Sequence, residues 1–145
     1  MTHLKYFFTL IIFQGLCICS QAEDHDMVVV VNINNPTTTM TKSQVIDLFM
    51  GRYIAFPNGQ QATPIELMGE AEMKKNFYQY LVGMSLARVN AYWSRIKYTG
   101  RVKASKKVRT SKKVIGLLAT SPVSISYMLR EDVTKDLKVV YALNE

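Results

Sequence analysis

The sequence predicts one α/β domain with a mixed or mostly parallel sheet, and two observations lead to this class. Segments with strand character alternate with segments with helix character along most of the chain, which is the order expected of an α/β domain. The length of 145 residues is enough for one domain and short for two. Nearly half of the residues are apolar, and Gly and Pro are ordinary in number, so a folded chain is expected.

The first strand is predicted at 27–33, where the sequence Met-Val-Val-Val-Val-Asn-Ile is almost continuously apolar and mostly β-branched. A strand without polar alternation is typical of a sheet position that is covered on both faces. Asn34-Asn35-Pro36 ends this strand, and a hydroxyl-rich loop of three threonines at 37–39 follows.

A helix is predicted from Lys42 to Met50. Thr41 and Gln44 fit a capping box, in which each side chain accepts a hydrogen bond from the other residue's backbone N–H. Gly51 is placed to end the helix. Three apolar residues form the predicted inner face: Val45, Leu48 and Phe49.

Two further helices are predicted to meet at Gly83, after a turn at Pro57-Asn58-Gly59 and a short strand at 63–68. Gly83 is placed to take the left-handed conformation that ends a helix, and Ser85 to cap the next one. Apolar residues at helical spacing predict the buried face of each helix. These are Met73, Phe77, Tyr80, Leu81 and Met84 on the first helix, and Leu86, Val89, Trp93 and Ile96 on the second. Core packing is favoured over ligand stacking for these side chains.

The chain beyond Gly100 is expected to be irregular up to about Thr110. A helix should then run to Ala119, followed by strands at 123–129 and 137–143. The predicted inner face of this helix is Val114, Leu117 and Leu118.

The first 22 residues have the pattern of a cleaved signal peptide. Lys5 gives a short positive region, an apolar run follows, and Ser20-Gln21-Ala22 supplies the small residues that a signal peptidase recognises. The run is short for a membrane-spanning helix, and a retained anchor is the alternative. Residues 23–145 then form the single mature domain. It has no disulfide to form, because Cys17 and Cys19 both lie in the leader.

Positive charge is concentrated in one segment. Nine basic residues and no acid lie between Arg95 and Lys113, whereas the rest of the mature chain has eight basic and eleven acidic residues. Such a cluster suits a small anion, an acidic protein or a membrane surface, or is a solvated loop without a partner. Nucleic acid is disfavoured, since the segment lacks interleaved aromatic residues. The basic surface is defined by Arg101, Lys103, Lys106, Lys107, Arg109, Lys112 and Lys113.

The residue types argue against an enzyme. His3 lies in the leader and His25 in the acidic start of the mature chain, so a histidine-based triad has no support. With no mature cysteine and one histidine, the usual transition-metal sites are unsupported. No Gly-rich nucleotide loop is present. We therefore expect a non-enzyme without cofactor or metal.

An ordered set of motifs follows the first strand. It comprises the segment 46–52 (Ile-Asp-Leu-Phe-Met-Gly-Arg), the Pro-Asn-Gly turn, Ala91-Tyr92-Trp93, Tyr98-Thr99-Gly100 and Thr120-Ser121-Pro122 before a strand. In this order the chain resembles the short, exported relatives of bacterial phosphate ABC-transporter substrate-binding proteins. The resemblance implies a periplasmic-binding-protein-like domain, a twisted α/β sheet with helices on both faces, in the periplasm. Its implied ligand is phosphate or another small oxyanion.

The resemblance also implies a weakened site. Full-length members clamp phosphate between two lobes, using helix N-termini, hydroxyls, an arginine and an acid, and this chain has room for about one lobe. Where the family has an Arg, an Asp and a Ser-Gly-Thr helix start, this chain has Met68-Gly69-Glu70-Ala71-Glu72, whose carboxylates would repel phosphate. The candidates left for ligand contacts are Thr37, Thr38, Thr39 and Arg52. Weak oxyanion binding and docking through the basic surface both stay open as functions, and so does the oligomeric state.

Overall fold

A computed structural model describes residues 26–99 and 105–144 of the chain. The predicted leader at 1–22, with Cys17 and Cys19, lies outside these ranges, as do His25, Arg101 and Lys103. The elements are β1 (Met27–Asn32), α1 (Lys42–Phe49), β2 (Thr63–Leu67), α2 (Ala71–Val82), α3 (Leu86–Lys97), β3 (Lys106–Val108), α4 (Ser111–Thr120), β4 (Ser124–Leu129) and β5 (Leu137–Ala142).

The described strands form one mixed sheet in the order β3-β2-β4-β1-β5. β2 runs parallel to both β3 and β4, whereas β1 runs antiparallel to both β4 and β5. The prediction of an α/β domain with a mixed sheet is therefore confirmed. All six residues of β1 are buried, which agrees with the apolar run at 27–31.

Helices cover both faces of this sheet. Val29 and Val31 face a core that includes residues of α1, α2 and α3. Val28 and Val30 face a second core that includes residues of α4. Because successive side chains of a strand point to opposite faces, a strand between two cores needs apolar residues at nearly every position. β1 has them at its first five positions. Its sixth residue, Asn32, is buried and donates to the backbone carbonyls of Leu118 and Ala119.

The predicted helix ends form as local chemistry requires. Thr41 and Gln44 make the reciprocal capping box, and the Ser85 hydroxyl accepts the backbone N–H of Arg88. Gly83 ends α2 with a φ of 65°, a backbone conformation that is strained for residues other than glycine. No helix in the described ranges is long and apolar enough to cross a membrane.

Two expectations were wrong. Tyr80 is 46% exposed, and Tyr78 takes the buried place on α2 instead, because the hydroxyl of Tyr78 reaches a partner on the sheet. The chain before Thr110 is not wholly irregular, because Lys106–Val108 forms β3 beside β2. Its two lysines are exposed at the edge of the sheet, so the segment lacks the apolar pattern by which strands are predicted.

Candidate functional site

The carboxyl ends of β2 and β3 lie side by side, and each strand leads into a helix. Leu67 is paired with Val108, and α2 and α4 begin a few residues beyond these two positions. α2 packs in the first core and α4 in the second, so the chain leaves the two strands towards opposite faces. We call the region at these strand ends the crevice, because α/β sheets commonly bind ligands in a crevice at this position.

Glu70 stands between the two helix starts. It is the N-cap residue of α2, and its Oε1 accepts a 2.7 Å hydrogen bond from the hydroxyl of Ser111, the first residue of α4. The backbones of the two segments also approach closely, since a Cβ added to Gly69 would lie 2.2 Å from the carbonyl oxygen of Arg109. The crevice therefore already contains a carboxylate at a place where helix N-termini favour negative charge.

The space beside the start of α2 is a cavity of about 570 Å³. Its polar lining consists of Glu70, Glu72 and Asn76, and its apolar lining includes Met27, Met73 and Leu129. Glu72 is exposed and forms an ion pair with Lys75 at 3.1 Å. None of the lining side chains is basic, so this cavity by itself is poorly suited to an oxyanion.

The threonine loop lies at the opposite end of the sheet from this crevice. Val31 and Pro64 are both paired with Ile125, so the end of β1 lies near the start of β2. Thr37 is buried, and its N–H donates to Oδ1 of Asn35 at 2.7 Å, while its Oγ1 has no hydrogen-bond partner among the described residues. Thr38 and Thr39 are exposed.

Arg52 is separated from the threonine loop by the whole of α1. That helix has eight residues, which at 1.5 Å per residue corresponds to about 12 Å. The Arg52 guanidinium is exposed and lies 4.0 Å from the carboxylate of Asp47. The three threonines thus lie together in one loop, and Arg52 follows the other end of α1.

The described part of the basic surface lies at the β3 edge of the sheet. Lys106 and Lys107 are exposed on β3, and Arg109 is exposed directly after it. Lys112 and Lys113 are exposed in the first turn of α4, which contains no acidic residue. A cation in the first turn of a helix is opposed by the helix dipole, so helix stability does not explain these two lysines.

A buried polar cluster under α2 was not predicted from the sequence. Glu66 is 3% exposed within β2; its Oε2 accepts from Lys74 Nζ at 2.9 Å, and its Oε1 accepts from the Tyr78 hydroxyl at 2.5 Å. Burial, and then the charge of Glu66, raise the pKa of Tyr78 well above its ordinary value. Tyr78 is therefore a neutral donor at physiological pH. One signal was available, since Lys74 and Tyr78 are four apart and share a helix face.

A second cavity, of about 230 Å³, opens beside this cluster between α3 and the β2–β3 edge. We call it the α3 cavity. Its charged lining consists of Glu66, Lys74, Lys97 and Lys107. Across the described ranges, no group of three or more His, Cys, Asp or Glu residues is placed to hold a metal ion.

No protein-family model and no curated protein matches this sequence. The structure is similar to an ABC-type phosphate transport receptor from Vibrio cholerae, with a TM-score of 0.61 and 15% identity. It is also similar to a Clostridium perfringens protein described as a phosphate ABC transporter substrate-binding protein and solved with bound phosphate, with a TM-score of 0.62 and 13% identity. A Planctomyces limnophilus protein described as a phosphate binding protein gives a TM-score of 0.58 and 10% identity.

Each of these similarities covers 79% of this chain but only 45%, 44% and 40% of the three proteins in that order. The chain therefore spans less than half the length of the proteins it resembles. At such low identities the likeness shows the fold. The fold is that of periplasmic-binding-protein-like domains, and the resemblance to phosphate ABC-transporter substrate-binding proteins predicted from the sequence is confirmed.

Proposed function

We propose that this chain is a non-catalytic, solute-binding-protein-like domain of the periplasm whose ligand class is a small oxyanion such as phosphate, bound weakly. One observation carries the proposal. Two helices begin side by side at the carboxyl ends of parallel strands, in a fold shared with proteins described as phosphate-binding. Paired helix starts direct unpaired backbone N–H groups towards one place, which is how such folds bind anions.

Weak binding follows from what the crevice contains. The Glu70 carboxylate already accepts from Ser111, and an incoming phosphate would meet this negative charge. Charge-assisted hydrogen bonds contribute about 1.5–3 kcal/mol each, so a site that lacks several donors loses decades of affinity. The chain also spans less than half of the phosphate-binding proteins it resembles.

The threonine loop is a second proposed contact region for the anion. Its support is the buried hydroxyl of Thr37, for which the described residues provide no partner. Thr38 and Thr39 add exposed hydroxyls beside it. Arg52 is the weakest of the proposed contacts, because α1 separates it from the loop.

The periplasmic location rests on the predicted leader at 1–22. Intact mass of material from the periplasm tests it. We expect a chain that begins at Glu23 and contains no thiol, whereas a mass that retains Cys17 and Cys19 would contradict cleavage at Ala22.

Titration calorimetry on phosphate-stripped protein tests the binding function. We expect little heat below millimolar phosphate. Micromolar binding by a monomer would contradict the weak site and indicate a complete transport receptor. Micromolar binding by a dimer alone would mean that two copies supply the two lobes. No heat even at millimolar phosphate would favour the alternative function.

That alternative is a periplasmic interaction domain whose basic surface docks an acidic protein or an envelope lipid. Lys106 and Lys107, exposed on the edge strand β3, and Lys112 and Lys113, exposed at the start of α4, favour it. Lys112 and Lys113 are placed against the dipole of α4.

A further inference from the structure

The α3 cavity is separate from the crevice at the helix starts. It lies where α3 stands away from the sheet: Val89 is the buried residue of this helix, while Asn90, Ser94 and Lys97 are exposed. Neither Glu70 nor Ser111 lines it. Its volume of about 230 Å³ is several times the ~30 Å³ that one water molecule occupies in the liquid.

This cavity carries more positive charge than its own acid neutralises. Lys74, Lys97 and Lys107 line it, and Glu66 is the single carboxylate of the lining. Both oxygens of Glu66 already accept hydrogen bonds, one from Lys74 and one from Tyr78. No carboxylate of the described ranges lies within 4.0 Å of Lys97 or Lys107. Among the described residues, two positive charges are therefore left without an ion-pair partner at this cavity.

Neutral hydrogen-bond donors accompany these charges. Asn90, Ser94 and Ser105 line the cavity, and so does Trp93. The indole N–H of Trp93 is buried and lies near the Tyr78 hydroxyl. The indole ring supplies an apolar wall to the cavity.

We propose that the α3 cavity binds a small organic anion that carries a carboxylate or phosphomonoester group. Lys97 and Lys107 neutralise the oxyanion, the hydroxyl and amide groups of the lining donate to its oxygens, and Trp93 packs against the organic part. The size of the cavity favours an anion with an organic body over inorganic phosphate. This site is independent of the proposed binding at the helix starts, because neither Glu70 nor Ser111 lines the α3 cavity.

Trp93 is the only tryptophan in the sequence, so its fluorescence reports directly on this cavity. The experiment titrates the mature chain with succinate, with glycerol 3-phosphate and with inorganic phosphate, all at one ionic strength. We expect a saturable change in Trp93 fluorescence with at least one of the two organic anions, at lower concentration than with inorganic phosphate. The double variant Lys97→Gln/Lys107→Gln should weaken this binding by at least about tenfold.

The matched control is Lys112→Gln/Lys113→Gln, which removes the same charge from the same basic segment but outside the cavity. It should leave the titration unchanged. The variant Lys97→Arg/Lys107→Arg should retain binding, which separates loss of charge from loss of fold. The proposal is overturned by no saturable change with either organic anion, by equal weakening in the control, or by unchanged binding in the folded Lys97→Gln/Lys107→Gln protein. Absence of phosphate binding at the helix starts beside Glu70 would contradict the proposed function, but it would not change the results expected for the α3 cavity.

Discussion

The hydroxyl of Ser111 donates a 2.7 Å hydrogen bond to Oε1 of Glu70, although the two residues are 41 positions apart. This bond joins the first residue of α4 to the N-cap residue of α2. An anion at paired helix starts is favourable whether it is a ligand or a side chain. Glu70 thus supplies from within the chain the negative charge that a solute would otherwise bring.

Removing this carboxylate should improve phosphate binding. For Glu70→Ser we expect phosphate affinity to rise by about tenfold or more, because one repulsive charge is lost and one hydroxyl donor is gained. Calorimetry with phosphate-stripped protein measures the change. The control is Glu72→Ser, since Glu72 is exposed and pairs with Lys75, and its effect should be smaller. Equal, negligible affinities in both variants would show that the crevice is not an anion site.

Tyr78 and Tyr127 are the two most deeply buried tyrosines of the described residues. Removing the hydroxyl should change the free energy of unfolding differently at the two positions. Tyr78→Phe leaves Oε1 of Glu66 without its donor, so we expect the free energy of unfolding to fall by about 1–3 kcal/mol. The hydroxyl of Tyr127 is buried with no partner in the described chain, and its ring stacks on Phe77 at 3.8 Å. Tyr127→Phe keeps that stack and should be neutral or stabilising. Denaturant unfolding measures the free energy of unfolding of both variants. Equal losses would contradict the conclusion that the Tyr78 hydroxyl has a hydrogen-bond partner and the Tyr127 hydroxyl has none among the described residues.

Alkaline pH should destabilise the fold. Burial is the main cause that raises the pKa of Tyr78 and of Tyr127 well above the ordinary value. Stability is therefore unaffected by these groups below about pH 10 and falls above it, where the unfolded chain releases protons that the folded chain retains. The slope should be about 1.4 kcal/mol per pH unit for each tyrosine. Tyr127→Phe should reduce this slope, and an unchanged slope would rule out its contribution.

The basic surface should adhere to anionic lipid vesicles if it is a docking face. Exposed charges are screened within about 8 Å at physiological ionic strength, so adhesion should weaken steeply with salt. Replacing Lys106, Lys107, Lys112 and Lys113 with Gln should remove most adhesion without unfolding, because all four are exposed. Co-sedimentation with phosphatidylserine vesicles measures this, with neutral vesicles as the control. Salt-independent adhesion, or none, would leave these lysines as solvated residues, of which Lys106 and Lys107 protect the edge strand β3 from pairing.

Adding a side chain at Gly69 should destabilise the fold, because the segments that lead into α2 and α4 approach each other closely there. Gly69→Ala would place a Cβ 2.2 Å from the backbone carbonyl oxygen of Arg109, and a backbone atom cannot swing away as a side chain can. We expect a clear loss of thermal stability. Gly116→Ala is the matched control, since a Cβ there meets nothing within 4 Å and a helix gains about 0.5–1 kcal/mol from this change. Equal effects at both positions would contradict the close approach.

Features set by neighbouring residues were predictable from the sequence. The Thr41–Gln44 capping box, the left-handed Gly83 and the Ser85 cap each depend on a few adjacent residues, and each forms as predicted. The burial of β1 from Met27 to Val31 was also predictable, because a continuous apolar run is typical of a strand covered on both faces.

Features set by distant residues were not predictable. Helical spacing places Tyr78 and Tyr80 on either side of the apolar stripe of α2, and the choice between them depends on Glu66, which β2 brings beneath that helix. The contact of Gly69 with Arg109 likewise depends on the pairing of β2 with β3. Without strand order, the threonine loop and Glu70 could not be assigned to opposite ends of the sheet.

The position of β1 also determines when the fold can be completed. Val28 is paired with Met128 on one side and with Ala142 on the other. The strand β1 therefore cannot pair along either edge until β4 or β5 has been synthesised. Contacts this distant in sequence form slowly, and an unpaired apolar strand is prone to aggregate meanwhile. Both edges of β1 can therefore be paired only after residues up to about Ala142 have been synthesised. For a polypeptide that is exported as we propose, late pairing of this strand favours an unfolded chain during translocation.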